Sequence, residues 1–283
     1  MALGLVLLTW VIAGRTQPAD AYITEVVTIP SDGIKLRALL GRPESAGRCP
    51  AYIFNHGSMT FEQAHAGPWP TSITVGSLSD TLARDGYVVL VLYRRGHKGS
   101  EGLTSTYSQT LAIGTPIRSA AEIMHGAEAE TGDVIAALDC LRKQPFVDAR
   151  RIAVGGVSLG GLVSVMAASR DPRFAALISM AGGIRWSVRG GHDEARPLVQ
   201  GAWREAGHRL RIPVLILWSE NDVSLNESVG RDLESELQRA DATVEMKVYP
   251  GFKQNGHTLF FLAEGYPVYV PDAKRFLDSH LKR

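Results

Sequence analysis

The stretch "RIAVGGVSLGGLVSV", residues 151–165, places four glycines around Ser158. Its β-branched first half is typical of a buried strand, and its second half has the composition of a buried helix. The centre of the stretch has the pattern G-x-S-x-G, which positions a serine on a sharp strand-to-helix turn. Gly156 and Gly160 are expected there because side chains at these positions would collide. The stretch therefore predicts Ser158 as a nucleophile.

Two alternative roles for the glycines have less support. A phosphate-binding loop would require G-x-x-x-x-G-K-[ST] or G-x-G-x-x-G, and neither pattern occurs in this stretch. A glycine turn without functional significance is the second alternative. The strand before the serine and the helix after it argue against such a turn, because this context is the one in which the pattern carries a nucleophile.

The segments on both sides of this stretch predict an α/β fold. A leading hairpin turns at Asp32-Gly33, and short apolar strands then alternate with helical patterns. This order predicts a three-layer α/β domain, a mostly parallel eight-stranded sheet with helices on both faces. The predicted strands are residues 21–30, 34–43, 51–57, 87–93, 151–156, 174–182, 213–218 and 243–250.

The connections between strands contain three predicted helices of note. Residues 119–143 have a long helical pattern with candidate breaks at Gly126 and Gly132. An amphipathic helix is predicted over residues 225–240, and a closing helix is predicted to begin near Pro271.

Two connections, residues 102–120 and 182–207, fit no simple crossover helix. Both follow buried strands, so we expect them as loop insertions at the carboxyl edge of the sheet, where open α/β sheets bind ligands. The whole of residues 22–283 is predicted to form one domain.

A serine nucleophile needs a base and an acid, which this kind of fold supplies in the chain order Ser, Asp or Glu, His. Four histidines follow Ser158, and His257 is the one on a glycine-rich loop directly after the last predicted strand. Asp222 follows the penultimate strand, at a loop position from which a carboxylate can reach His257. Glu220 is the second choice for the acid, and Asp222 could instead cap the next helix.

An oxyanion hole requires two backbone donors. One should be the amide of Leu159, the residue after the nucleophile. The other should be the amide of Ser58 or Met59, on the turn that follows "YIFNHG". His56 is expected to brace this turn rather than to transfer protons.

Composition excludes several other classes of function. The formal net charge of +1 provides no basic face for nucleic acid. Neither H-E-x-x-H nor C-x-x-C occurs, so we expect no metal and no cofactor. The two cysteines, Cys49 and Cys140, are too few for a disulfide framework, although they could pair in an oxidising compartment.

Residues 1–21 have features of a secretory signal peptide. The apolar run over residues 2–14 is too short to span a bilayer comfortably, and Ala19-Asp20-Ala21 fits the small-x-small cleavage rule. We therefore expect cleavage before Tyr22, a secreted or periplasmic protein and no stable membrane span. The charged n-region is missing, and a cytoplasmic protein with a buried or disordered terminal segment is the alternative.

With Ser158, Asp222 and His257 in this order, the chain resembles the α/β-hydrolase superfamily over residues 22–283. Within that superfamily it resembles the dienelactone hydrolase and prolyl-oligopeptidase-type (S9-type) branch. The resemblance implies Ser158 as nucleophile, Asp222 as acid and His257 as base, with the amides of Ser58 and Leu159 as oxyanion donors. The segments that carry the resemblance are "DGIKLRALLGRP", "FNHGS", "YVVLVLYRRGHKGSEG", "GGVSLGG", "ILWSENDV" and "YPGFKQNGH".

The chain departs from the family pattern at two places. Typical dienelactone hydrolases have cysteine at the nucleophile position, where this chain has Ser158. The loop between Pro250 and His257 is longer than in the shortest family forms, which is expected to loosen the geometry between acid and base.

These features predict hydrolysis of an ester, or less readily of an amide, in a small-molecule or peptide substrate through an acyl-enzyme. A serine peptidase would share the triad but would also need a carboxylate for the substrate amine, for which Glu101, Glu122 and Glu128 are candidates. A perhydrolase-type enzyme would share it too, and peroxide-dependent halogenation would reveal that activity. A non-catalytic binding protein on the same fold would be expected to lack part of the triad.

Two further features have a structural and a functional interpretation. The loop "YRRGHKG" (residues 93–99) could attract anionic substrates, but we expect a solvated loop with one structural arginine. Trp69, Trp186 and Trp203 could line an acyl pocket or simply pack the loops.

Overall fold

The computed structural model describes residues 22–44, 47–59, 68–102, 119–185 and 193–282. Its eight strands are β1 (Tyr22–Ser31), β2 (Ile34–Pro43), β3 (Cys49–Asn55), β4 (Val88–Tyr93), β5 (Val147–Val157), β6 (Ala176–Met180), β7 (Val214–Ser219) and β8 (Val244–Tyr249). They form one sheet in the order β1-β2-β4-β3-β5-β6-β7-β8. β2 runs antiparallel to β1 and β4, and all other neighbouring strands are parallel. The predicted eight-stranded, mostly parallel sheet is confirmed.

Six α-helices cover this sheet in the described part of the chain. They are α1 (Leu78–Arg84), α2 (Ala120–Arg142), α3 (Leu159–Arg170), α4 (Arg196–Arg209), α5 (Glu227–Arg239) and α6 (Tyr266–Leu281). Helices α2 to α5 pack in series against one another, whereas α1 packs against α6. These two groups form the outer layers, and the apolar strands between them form the core. The three-layer architecture is therefore also confirmed.

The predicted breaks in the long helix are wrong, because α2 continues without interruption from Ala120 to Arg142. A Cβ added at Gly132 would meet nothing within 4 Å, so this glycine answers no steric need. The helix buries Ile123, Val134 and Leu138 completely. Burial of this apolar face outweighs the helix-propensity cost of about 1 kcal/mol per glycine.

The second predicted loop insertion contains a helix, since α4 spans most of its carboxyl-terminal half. Val199 and Trp203 of α4 are fully buried, so Trp203 packs the helix onto the molecule. Residues 103–118 of the first insertion, and residues 186–192 with Trp186, lie outside the described residues. The use of these segments in substrate binding stays a prediction.

The closing helix begins five residues earlier than predicted, at Tyr266, with Pro271 inside it. Its first turn is held by aromatic packing, because the ring of Tyr269 lies 5.2 Å from that of Phe260 and 6.2 Å from that of Tyr266. These contacts extend the helix in front of a residue that usually starts one.

The proposed signal peptide, residues 1–21, lies outside the described residues and stays a prediction. In the part of the chain that the structure describes, none of the helices has the length and apolar character needed to cross a bilayer. Cys49 and Cys140, both described, are not joined by a disulfide.

Candidate active site

Ser158 occupies the turn between β5 and α3 in a strained backbone conformation. Its φ of 56° and ψ of −125° lie in a region that non-glycine residues rarely adopt. The strain is held by the main chain, because the Ser158 amide donates to Met180 O at 2.9 Å and the Ser158 carbonyl accepts from the amide of Gly183 at 3.1 Å. Such strain persists where the surroundings over-determine it, as around a presented nucleophile.

The two flanking glycines permit this turn to pack against the end of β3. A Cβ on Gly156 would lie 2.5 Å from the carbonyl oxygen of Asn55 and 2.6 Å from Gly160. A Cβ on Gly160 would lie 2.7 Å from the Asn55 carbonyl carbon. These neighbours are backbone atoms that cannot move aside, so the close approach requires glycine at both positions.

Asp222 and His257 are joined by a short hydrogen bond between the loops that follow β7 and β8. The distance from His257 Nδ1 to Asp222 Oδ2 is 2.7 Å, and the His257 side chain is 12% exposed. Because an ionised carboxylate only accepts, the bond places the proton on Nδ1. A neutral imidazole held in this way presents Nε2 as the acceptor that a general base needs.

The second carboxylate oxygen of Asp222 is fixed by the main chain. Oδ1 accepts from the amides of Ser224 at 2.9 Å and Leu225 at 2.7 Å, and Asp222 is only 3% exposed. Glu220, the second choice for the acid, is exposed to solvent. The structure therefore brings Asp222, and not Glu220, to His257.

His56 holds the turn on which the proposed oxyanion donor lies. The amide of Arg94 donates to His56 Nε2 at 3.3 Å, so the proton of the neutral ring is on Nδ1, which lies 2.7 Å from Gly57 O. In a trans peptide the carbonyl and the next amide point in opposite directions. The bond to Gly57 O therefore aims the Ser58 amide away from the buried ring.

Contacts around Phe261 bring the three parts of the site together. A Cβ added at Gly57 would lie 3.2 Å from the Phe261 ring and 3.3 Å from Ser158 Cβ. The Phe261 ring in turn lies 5.4 Å from the ring of His257. Gly57 thus lies next to both the strained serine and Phe261, and Phe261 in turn lies next to the histidine. Leu159, as the first residue of α3, has an amide without an intrahelical acceptor.

The other histidines after Ser158 that the structure describes lie on helices. His208 is in the last turn of α4, and His280 packs on Phe276 in α6 with ring centres 4.8 Å apart. His192 lies outside the described residues.

The loop at residues 93–99 is largely buried rather than solvated, and it contains two structural arginines where one was predicted. Arg94 and His97 are completely buried, and Arg94 Nε donates to Glu130 of α2 at 2.7 Å. Arg95 forms a second ion pair, 2.8 Å from Asp133 of the same helix. Both arginines are therefore structural, and they anchor the loop that packs against His56.

Sequence reasoning missed these acidic partners on α2 and two asparagines, Asn221 and Asn255, that hold the loops of the acid and the base. The only signal for the asparagines is their position, one residue before Asp222 and two before His257. Among the described residues, no group of three or more metal-ligating side chains converges.

The arrangement brings a strained serine, a carboxylate-bound imidazole and the two proposed backbone donors to one edge of the sheet. Such a set suits nucleophilic attack on a carbonyl carbon, because it provides a nucleophile, a proton acceptor and a place for negative charge.

Comparison with solved structures shows the same fold in hydrolases of different kinds. The chain superposes on a protein from Klebsiella pneumoniae assigned as a dienelactone hydrolase with a TM-score of 0.63 at 17% identity, covering 93% of this chain and 99% of that one. For acetyl xylan esterase from Paenibacillus sp. the TM-score is 0.67 at 17% identity, covering 97% and 88%. For acylaminoacyl peptidase from Pyrococcus horikoshii it is 0.67 at 17% identity, covering 95% of this chain but only 43% of the peptidase.

At this level of identity the superpositions establish the fold alone, so membership depends on the sequence profile. The model of the dienelactone hydrolase family matches residues 69–276, well over half of the chain and including the strained serine, Asp222 and His257. The chain is thus an α/β-hydrolase and belongs to the dienelactone hydrolase family.

Proposed function

We propose that the protein hydrolyses carboxylic esters through an acyl-enzyme on Ser158. The observation that carries the proposal is the 2.7 Å hydrogen bond between His257 Nδ1 and Asp222 Oδ2, which orients a base at the edge where the strained serine lies. A serine hydroxyl reacts only when a neighbouring base accepts its proton, and this pair supplies one.

In the proposed mechanism, His257 Nε2 takes the hydroxyl proton as Ser158 Oγ bonds to the substrate carbonyl carbon. Asp222 stabilises the resulting imidazolium, and the amides of Leu159 and Ser58 donate to the oxyanion. The imidazolium then protonates the leaving alcohol as the carbonyl–oxygen bond breaks. Water, deprotonated by His257, attacks the acyl-enzyme in the same way and releases the carboxylic acid and Ser158.

Peptide hydrolysis is the second activity compatible with these residues. Of the carboxylates that could bind a substrate amine, Glu128 pairs with Arg170, and Glu101 accepts from the amide of Lys35 at 2.8 Å. These existing bonds engage two of the three candidate carboxylates, Glu122 being the third, and so favour an ester substrate over an amino-terminal peptide. A binding protein would not need the oriented acid and base, so the geometry argues against that alternative.

The test is labelling with a fluorophosphonate probe, followed by mapping of the modified residue by mass spectrometry. We expect label on Ser158, and loss of label in Ser158→Ala and His257→Ala. Turnover of 4-nitrophenyl acetate should fall by about 10⁴-fold or more in both variants.

Ser169→Ala is the matched control, because this serine lies on the same helix, α3, and bonds only to Met166 O among the contacts that the structure gives it. It should keep both label and turnover. A folded, unlabelled wild-type protein, or label that persists in Ser158→Ala, would disprove the assigned nucleophile.

A further inference from the structure

The loop of the acid (residues 219–226) and the loop of the base (residues 250–257) are joined by more than the hydrogen bond between Asp222 and His257. Residues 250–256 lie between the end of β8 and His257, yet the distance between the two side chains is 2.7 Å. A long loop left to itself would have many conformations to lose before the imidazole could be held. Two asparagine side chains remove that freedom.

Asn255 bonds to both loops at once. Its Oδ1 accepts from the amide of Val223, the residue after Asp222, at 3.1 Å and from the amide of His257 itself at 3.1 Å. Its Nδ2 donates to Ser224 Oγ at 3.0 Å. One side chain therefore sets the distance between the backbone that follows the acid and the backbone that holds the base.

Asn221 makes the reciprocal connection from the acid loop. Its Oδ1 accepts from the amide of Phe252 at 2.8 Å, its Nδ2 donates to Lys253 O at 2.9 Å, and its own carbonyl accepts from the amide of Gly256 at 3.0 Å. A Cβ on Gly256 would lie only 2.6 Å from Asn221 Oδ1, so the two loops are in contact there.

We propose that Asn255 and Asn221 form a two-sided amide clamp that positions the imidazole of His257 against Asp222. Both are positioning residues, because the contacts that the structure gives them run to the main chain and hydroxyls of the two loops. The inference deepens the proposed function and depends on it for its kinetic consequence, whereas its structural consequence can be measured without any substrate.

Asn255→Ala removes three hydrogen bonds and should loosen the base loop. Because a displacement of about 1 Å at a reacting group costs on the order of 10²-fold in rate, kcat for 4-nitrophenyl acetate should fall by about that factor with little change in KM. Asn226→Ala is the matched control. This nearby asparagine caps α5 by accepting from the amide of Ser228, a contact that does not involve the base loop, so its loss should change stability and not kcat.

Asn255→Asp separates a positioning role from a merely structural one. A carboxylate keeps both acceptor bonds, and Ser224 Oγ can turn to donate to it, so the clamp is retained. The other charged groups of these loops are Asp222, exposed Glu220 and Lys253, which pairs with Glu264 at 2.7 Å. The added negative charge favours the protonated imidazole, so the acidic limb of the kcat/KM profile should move upward by about one pH unit.

The readout that needs no substrate is the downfield proton resonance of His257 Nδ1–H, assigned with ¹⁵N-labelled histidine. It should be present in the wild-type protein, Asn226→Ala and Asn255→Asp, and lost or moved upfield in Asn255→Ala. An unchanged resonance in Asn255→Ala, its absence from the wild type, or a kcat of Asn255→Ala equal to that of Asn226→Ala would overturn the clamp. If the resonance responds as expected in a protein that hydrolyses no ester, the clamp stands and the proposed function fails.

Discussion

His56 is a fixed neutral hydrogen-bonding group at the turn that carries the proposed oxyanion donor, the Ser58 amide. Burial, together with the charge of Arg94, holds the pKa of the His56 imidazole well below its ordinary value of 6.5. The ring therefore keeps one proton, on Nδ1, throughout the neutral range, and its bond to Gly57 O persists. The orientation of the Ser58 amide depends on this bond, so the contribution of that amide should not vary with pH in this range.

His56→Ala removes the support of Gly57 O and should allow the peptide between residues 57 and 58 to rotate. We expect kcat for 4-nitrophenyl acetate to fall by about 10²-fold, the usual effect of losing one oxyanion donor. His56→Asn can place an amide nitrogen near the position of Nδ1 and should recover part of the loss. Equal kcat in all three proteins would show that the Ser58 amide takes no part.

At the scale of single residues, the strand pattern predicts where Ser158, Asp222 and His257 lie, because each lies on the segment that directly follows a strand. Partners of other site residues cannot be located in this way. Arg94 and Glu130 lie 36 positions apart, and their bond exists only because the end of β4 meets one face of α2. From the sequence alone, a charged loop that is buried against a helix cannot be distinguished from a charged loop that is exposed to solvent.

Alanine substitutions at two helical glycines distinguish helix propensity from steric contact as the determinant of stability. Gly132 lies in α2 with nothing within 4 Å of an added Cβ, so Gly132→Ala should stabilise the fold by about 0.5–1 kcal/mol through lower unfolded-state entropy. Gly160, in the first turn of α3, faces the backbone of Asn55. Gly160→Ala should therefore destabilise the fold by about 1–3 kcal/mol. Urea unfolding of both variants measures the difference, and equal stabilities would contradict the close approach at the turn.

Comparing the predicted with the observed elements shows why the sequence predicts some of them better than others. Strands β3, β4, β6 and β7 and the second half of β5 are short, buried apolar runs, and their order alone predicts the sheet. Gly126 and Gly132 predict helix interruptions, but this is a local signal that the buried face of α2 overrides. The polar composition of α4 resembles that of a loop, and only its contacts with neighbouring helices show that Trp203 belongs to the core.

At the scale of the whole molecule, two buried imidazoles link folding to pH. Burial lowers the pKa of His97 as well as that of His56, and Arg94 acts in the same direction on both rings, which lie 4.6 Å apart between centres. In the unfolded chain both rings titrate near their ordinary value of 6.5. The unfolded state therefore binds more protons below that pH, and stability should fall as the solution is acidified.

The loss of stability in mild acid can be assigned to the imidazoles of His56 and His97, because the carboxylates titrate at lower pH. Carboxylates with lowered pKa, such as Asp80 and Asp171, have an ordinary value of 3.8 and act only at lower pH. Between pH 6.5 and 5, each ring can contribute a slope of up to about 1.4 kcal/mol per pH unit to the free energy of unfolding. His97→Asn keeps a donor for Arg95 O, which His97 Nδ1 approaches at 2.9 Å, and removes one titrating ring.

The slope measured by urea unfolding should therefore be smaller in His97→Asn than in the wild-type protein, whatever the stability of the variant at pH 7. Equal slopes would mean that His97 becomes protonated in the folded state without cost. In that case the charge would be accommodated by Glu130, whose carboxylate opposes the effect of burial on His97. The comparison thus determines whether the buried cluster of Arg94, His56 and His97 excludes a proton or accepts one.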